Sequence, residues 1–199
     1  MESEERIWIY VISLVAVING LGIVRVLVGL SEYLRDKQKF IARQYWVYTL
    51  SVVFQLLLHF LFWWSIVGLH KAANLNFLSY LYLLIGPTLL FLGTSLLVPA
   101  TKVESLNFRS EYYGVRTTYF SIMIAFWLWT IFVWPVFGHS FAPTVPLLVA
   151  FLLIALILRI TDHPRVHATL VIANYAIYLV FIALYTTRLG ELGRRIAEQ

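Results

Sequence analysis

Cysteine is absent from the 199 residues. No disulfide, thiolate metal site, iron–sulfur cluster, lipoprotein anchor or cysteine nucleophile is therefore available to the chain. Charge is scarce: Asp, Glu, Lys and Arg make up 13% of the sequence, against roughly 25% in soluble domains. No Asp or Glu falls inside any long apolar run. A proton-coupled carrier normally needs an intramembrane acid for its relay, so that class is disfavoured. Catalytic signatures are missing as well. There is no G-x-S-x-G, no phosphate-cradling glycine loop, no H-E-x-x-H and no pair of intramembrane acids. The serines and threonines have no evident base beside them. The chain is not expected to be an enzyme.

What is abundant is apolar. Hydrophobic residues reach 61%, aromatics 17%, and the mean hydropathy is +0.81. Seven Trp and twelve Tyr suit a surface that meets lipid tails and headgroups together. The expected fold is all-α: a polytopic transmembrane helical bundle of about six spans, forming one membrane domain over residues 1–199. A span takes about 20 residues, and runs of that character cover 7–30, 45–69, 77–98, 117–137, 145–158 and 166–186, with 145–158 the shortest. Residues 146–158 carry no polar side chain, so this fifth run is expected to face lipid. The start, Met1-Glu2-Ser3-Glu4-Glu5-Arg6, is acidic and leads into a run of about 24 residues, unlike the positive start and short core of a secretory signal. The first run is expected to stay in place as a span.

The net charge of +5 lies in short loops and the tail rather than on one basic face, so nucleic acid is not an expected partner. Residues 101–116 mix Lys102, Glu104, Arg109, Glu111 and Arg116 with Leu106, Phe108, Tyr112 and Tyr113. They read either as a helix lying in the interface or as a charged extension of the fourth span. The loops after spans one, three and five hold nine Lys and Arg, and the opposite side holds five, mostly in the tail. The positive-inside rule then places both termini outside.

A polar side chain at membrane depth is costly and normally faces a bundle interior or a wet cavity. Helical spacing groups such residues into stripes. Asn19, Gly22, Arg25 and Gly29 share one face of span one, and Tyr48, Ser51, Gln55 and His59 one face of span two. Span three has Ser79, Tyr82, Gly86 and Gly93, and span six has His167, Asn174, Tyr178 and Tyr185. These stripes are compatible with helix packing, with a solute or ion path, and with a cofactor pocket. Pro87 removes a backbone donor in mid-span and predicts a kink at Gly86-Pro87. Arg25 sits about five residues inside the basic end of span one with no acid at that depth. It would either snorkel to the interface or a carbonyl, or hold an anion or lipid headgroup. His59 is the only deep histidine, so haem with two axial histidines is not expected. His163 and His167 are four apart, a spacing open to metal, but Thr161-Asp162-His163-Pro164 reads as a capped helix start. No cofactor and no metal are expected.

Gly20-Leu21-Gly22 followed by a basic loop, Trp63-Trp64 closing span two, Gly86-Pro87 in span three and Glu111-Tyr112-Tyr113 before span four together resemble a group of multi-span bacterial inner-membrane proteins with no assigned activity. The resemblance covers most of spans one to four. It implies a multi-pass protein of a bacterial inner membrane and carries no functional residue with it.

The function expected is that of a small channel or passive transporter, working as a homo-oligomer because a chain this small often needs copies to surround a path. Arg25, Asn19, Gln55 and His59 would line it, with Asn174 opposite and Gly86-Pro87 as a hinge. The alternatives are a non-conducting accessory or scaffold subunit docked on a membrane-protein partner, and a lipid-binding protein. Membrane lipids are partners in every case.

Overall fold

The computed structural model describes residues 2–35, 45–66, 69, 76–98 and 107–185. Most of the basic loop after span one, residues 101–106, His70, Lys71 and the tail arginines lie outside the described residues. Among the described residues there are six helices and no strand. They are α1 (Glu2–Arg35), α2 (Trp46–Ile66), α3 (Phe77–Leu97), α4 (Phe108–Val136), α5 (Val145–Ile160) and α6 (Pro164–Tyr185). Five are long and apolar enough to cross a membrane, and α5 is shorter at 16 residues. The protein is a multi-pass helical membrane protein.

Two helices outrun their apolar cores. At 34 residues, α1 is about 51 Å long against a hydrocarbon core of about 30 Å, so its polar first turns extend past the lipid. Of the two readings of 101–116, residues 108–116 take the second: they are the opening turns of α4, continuous with its apolar part.

The ends of the helices follow local chemistry. Asn76 caps α3 through a reciprocal pair with Ser79, each side chain accepting from the other's backbone N–H, which satisfies donors that a first turn leaves orphaned. Asn107 caps α4. At its far end, the Gly138 and His139 amides donate back to the Pro135 and Trp134 carbonyls. That closure needs a left-handed residue just past the helix, and Gly138 supplies it with φ 82°. Three residues separate α5 from α6, and Pro164 opens α6 as its first helical residue, where a missing N–H costs nothing.

The helices close into a ring in which α3 lies between α1 and α4, α4 packs on α5, α5 on α6, and α6 on α2. Helix α2 also lies against α1, α3 and α4. Each outer helix keeps one apolar stripe inward and turns the rest to lipid. On α1 the buried stripe is Trp8, Val11, Val15, Asn19, Gly22 and Val26, while Ile9, Val17, Leu21 and Val24 are exposed. The expectation that span five simply faces lipid is corrected. Helix α5 buries Leu148, Phe151, Ile154, Ala155 and Leu158, and Phe151 stacks on Trp127 with ring centroids 4.5 Å apart and planes at 7°. Lipid tails are as apolar as the protein, so association in a membrane is decided by fit rather than by polarity. The absence of polar residues therefore does not show which way a helix faces.

Candidate functional site

The polar stripes of α1 and α2 meet in one buried network. His59 and Gln55 have no exposed surface, and neither does Thr94 on α3; Asn19 is 2% exposed. Asn19 Oδ1 lies 2.7 Å from His59 Nδ1, and Thr94 Oγ1 lies 2.8 Å from His59 Nε2. An amide oxygen can only accept, so His59 Nδ1 carries the proton; the one proton of the Thr94 hydroxyl is shared between His59 Nε2 and the Leu90 carbonyl 3.0 Å away. Asn19 Nδ2 donates to the His59 carbonyl at 3.2 Å. One turn away, Gln55 Nε2 donates to the Leu90 carbonyl at 3.0 Å, and its Oε1 accepts from the Tyr119 hydroxyl of α4 at 3.0 Å. Four helices are thus joined through neutral groups.

Glycines make room for it. A Cβ on Gly22 would stand 2.2 Å from His59 Cε1, and one on Gly93 would stand 3.3 Å from Gln55 Nε2. By contrast, a Cβ on Gly20 would meet nothing within 4 Å. Only the glycine on the inner stripe of α1 serves the contact.

Farther along α1, Arg25 joins it to α3. Its Nε donates to the Val98 carbonyl at 2.9 Å, and Val98 is the residue that ends α3. Gly29, one turn on, faces the Val98 side chain, with its notional Cβ 2.6 Å from Val98 Cγ1. A cation against the last carbonyls of a helix satisfies an orphan acceptor and complements the helix dipole. The Arg25→Met variant, which keeps the apolar stem but loses donor and charge, is expected to lose about 0.3–1 kcal/mol in unfolding measurements. A loss of several kcal/mol would mean that Arg25 holds more than this carbonyl.

At the same end, His167 on α6 is fully buried. Its Nδ1 lies 2.8 Å from the Tyr112 hydroxyl and its Nε2 2.9 Å from the Thr161 carbonyl. The carbonyl accepts, so Nε2 bears the proton and Nδ1 accepts from the phenol. Arg116 donates to the Thr161 carbonyl and pairs with Asp162, and its guanidinium lies 5.9 Å from the Tyr113 ring centre. The Tyr45 and Tyr113 hydroxyls lie 3.3 Å apart beside this cluster. Both His167 nitrogens are engaged and His163 is exposed, so these two histidines do not converge. No group of three or more potential metal-binding side chains occurs among the described residues.

The remaining expected site residues stand apart. Asn174 lies on the inner stripe of α6 between Val171 and Tyr178, partly exposed, with no side-chain hydrogen bond among the described residues. Gly86 and Pro87 are buried within an uninterrupted α3. A Cβ on Gly86 would stand 2.5 Å from Trp129 Cη2. That indole is held tightly: its Nε1 donates to the Tyr82 carbonyl at 2.8 Å, and the Tyr82 hydroxyl donates to the Trp129 carbonyl at 2.9 Å.

Trp129 also forms one wall of a cavity of about 80 Å³ between α2, α4, α5 and α6. It lies at the end of the bundle where α2 and α4 finish and α5 begins, away from Arg25 and Arg116. Phe62, Phe126, Trp127, Trp134, Phe151 and Phe181 complete its aromatic lining, and Leu58 lies deepest along α2. Leu61, Ser65 and Thr130 are lining residues that are only half-buried, so the cavity reaches the bundle surface along α2. Trp127, Trp129 and Trp134 stand out in the sequence only as aromatics of span four, and nothing in it singles out Tyr119 or Thr144. Thr94 has a weak signal, one residue beyond Gly93 in the span-three stripe. The cavity has none, because it arises from the way large rings from four helices fail to fill space.

No protein-family model matches the chain, and no curated protein or solved structure shows significant similarity to it.

Proposed function

We propose that this protein binds the hydrocarbon chain of a membrane lipid in the cavity between α2, α4, α5 and α6, and that it is not a conducting pore. The observation that carries this reading is the aromatic-walled space of about 80 Å³ that reaches the bundle surface along α2. An engineered apolar cavity of about 150 Å³ stays dry and admits benzene, so the enclosed part of this one, about half that volume, takes only a short stretch of one chain, with the rest lying along its open side at Leu61 and Ser65. An apolar hollow at membrane depth borders an unlimited supply of chains. Dispersion contact with rigid rings then favours a chain over an empty gap.

The polar side chains that a path would need support the same choice. Asn19, Gln55 and His59 are engaged with Thr94, the Leu90 carbonyl and Tyr119, so these three do not form a ring of free groups that could replace the water around an ion. With the arginine-rich end in the cytoplasm, as the positive-inside rule has it, the cavity draws on the outer leaflet.

Native mass spectrometry of protein released from lipid nanodiscs tests the reading. One lipid per chain is expected to survive release. Leu61→Phe, which adds volume at the entrance, is expected to reduce that bound population at least tenfold without unfolding the protein. Folded wild-type protein that retains no lipid would overturn the proposal. So would ion flux into proteoliposomes above that of empty vesicles and altered by Gln55→Leu.

A further inference from the structure

The cavity has one chemically distinct end. Thr144, 2% exposed, lines it beside the start of α5. A threonine at a helix N-cap normally spends its hydroxyl on the first-turn amides. Thr144 occupies the N-cap of α5 but has αR backbone angles, φ −77° and ψ −13°, and makes no side-chain cap bond. Its hydroxyl has no hydrogen-bond partner among the described residues. The half-buried Ser65 hydroxyl, which also lines the cavity, is likewise without one among those residues. Thr130, the third hydroxyl in the lining, is already committed to the Phe126 carbonyl at 2.8 Å.

The Thr144 and Ser65 hydroxyls border the cavity with their donors free, so an acceptor carried on a ligand there gains a hydrogen bond in apolar surroundings. Ser65 and Leu58 are seven residues apart on α2, about 10 Å along the helix axis, and the aromatic rings lie along that length. We infer that Thr144, assisted by Ser65, donates a hydrogen bond to the oxygen on the first carbon of the bound chain, whose remaining carbons run down toward Leu58 and Phe126. The ligand is then an acyl chain entering tail first, with a carbonyl or carboxyl oxygen at the membrane-surface end, from either an esterified lipid or a free fatty acid. This inference rests on the lipid-binding reading.

Three brominated twelve-carbon probes separate the possibilities through quenching of tryptophan fluorescence in the full-length protein: an alkane, the methyl ester and the free acid. Wild type is expected to bind an oxygen-bearing probe about tenfold more tightly than the alkane, the worth of one hydrogen bond sheltered from water. Preference for the ester points to an esterified lipid, and preference for the acid to a free fatty acid. Thr144→Val is expected to weaken binding of the oxygen-bearing probe about tenfold and so to abolish the preference, and Thr144→Ser to retain it. Because the Thr144 hydroxyl caps nothing, the valine variant is expected to unfold like wild type. If wild type binds all three probes equally, or Thr144→Val keeps the preference, the inference fails while the lipid-binding reading stands. If none of the probes quenches folded protein, both fail together.

Discussion

Gly22→Ala is expected to be among the most damaging single-methyl additions to this chain, with a loss of roughly 2–5 kcal/mol from overpacking together with displaced interhelical hydrogen bonds. The added carbon would stand 2.2 Å from His59 Cε1 and 2.5 Å from Nε2, so the ring must move. The ring cannot move without lengthening its bonds to Asn19 and Thr94. Unfolding in mixed detergent would measure the loss. Gly20→Ala, two residues away with open space around it, should cost nothing.

The mechanism predicts a specific coupling. His59→Ala alone leaves Asn19 and Thr94 short of partners, about 1–3 kcal/mol. It also removes the ring that Gly22→Ala strikes. The double variant should therefore be no less stable than His59→Ala alone, with the pair coupled by most of the Gly22→Ala penalty. Simple addition of the two penalties would show that Gly22 acts through something other than His59.

Gly86→Ala is expected to damage stability and ligand binding together. Three atoms of the Trp129 ring would lie between 2.5 and 2.7 Å from the new carbon. They belong to the broad face of an indole whose Nε1 donates to the Tyr82 carbonyl and which stacks on the Tyr82 ring at 5.8 Å, while the Tyr82 hydroxyl holds the Trp129 backbone carbonyl. The ring lines the cavity, so displacing it changes the shape of that space. A stability loss of about 1–3 kcal/mol is expected, accompanied by loss of the retained lipid. Melting curves and native mass spectrometry on the same preparation would read both. A variant that is destabilised but still keeps its lipid would separate Trp129 from the binding surface. If the position were a hinge instead, the mark would be altered kinetics without a stability loss.

Some of this was legible in the residues. Asn19, Gly22, Arg25 and Gly29 fall on one face by spacing alone, and all four do meet a partner on α2 or at the end of α3: Asn19 and Gly22 at His59, Arg25 at the Val98 carbonyl and Gly29 at the Val98 side chain. The start of α6 at Pro164 was equally plain, because a helix start is a matter of a few adjacent residues. The alternative purposes of the stripes were not separable in the same way. A histidine hydrogen-bonded to an asparagine and a threonine has the same periodicity as a histidine lining water.

Membrane residence, the all-helical class, the number of apolar runs and most helix ends were determined by the sequence alone. Each depends on hydropathy, length and capping within about twenty consecutive residues. The tertiary structure decided which stripe meets which. It placed residue 19 against 59 and 59 against 94, turned half of α5 toward α4, and left a hollow among rings from four helices with the Thr144 hydroxyl at its edge. Those outcomes depend on how far apart helices distant in sequence come to rest and how they are rotated about their axes. In lipid that is decided by steric fit, and steric fit has no periodicity along a single chain.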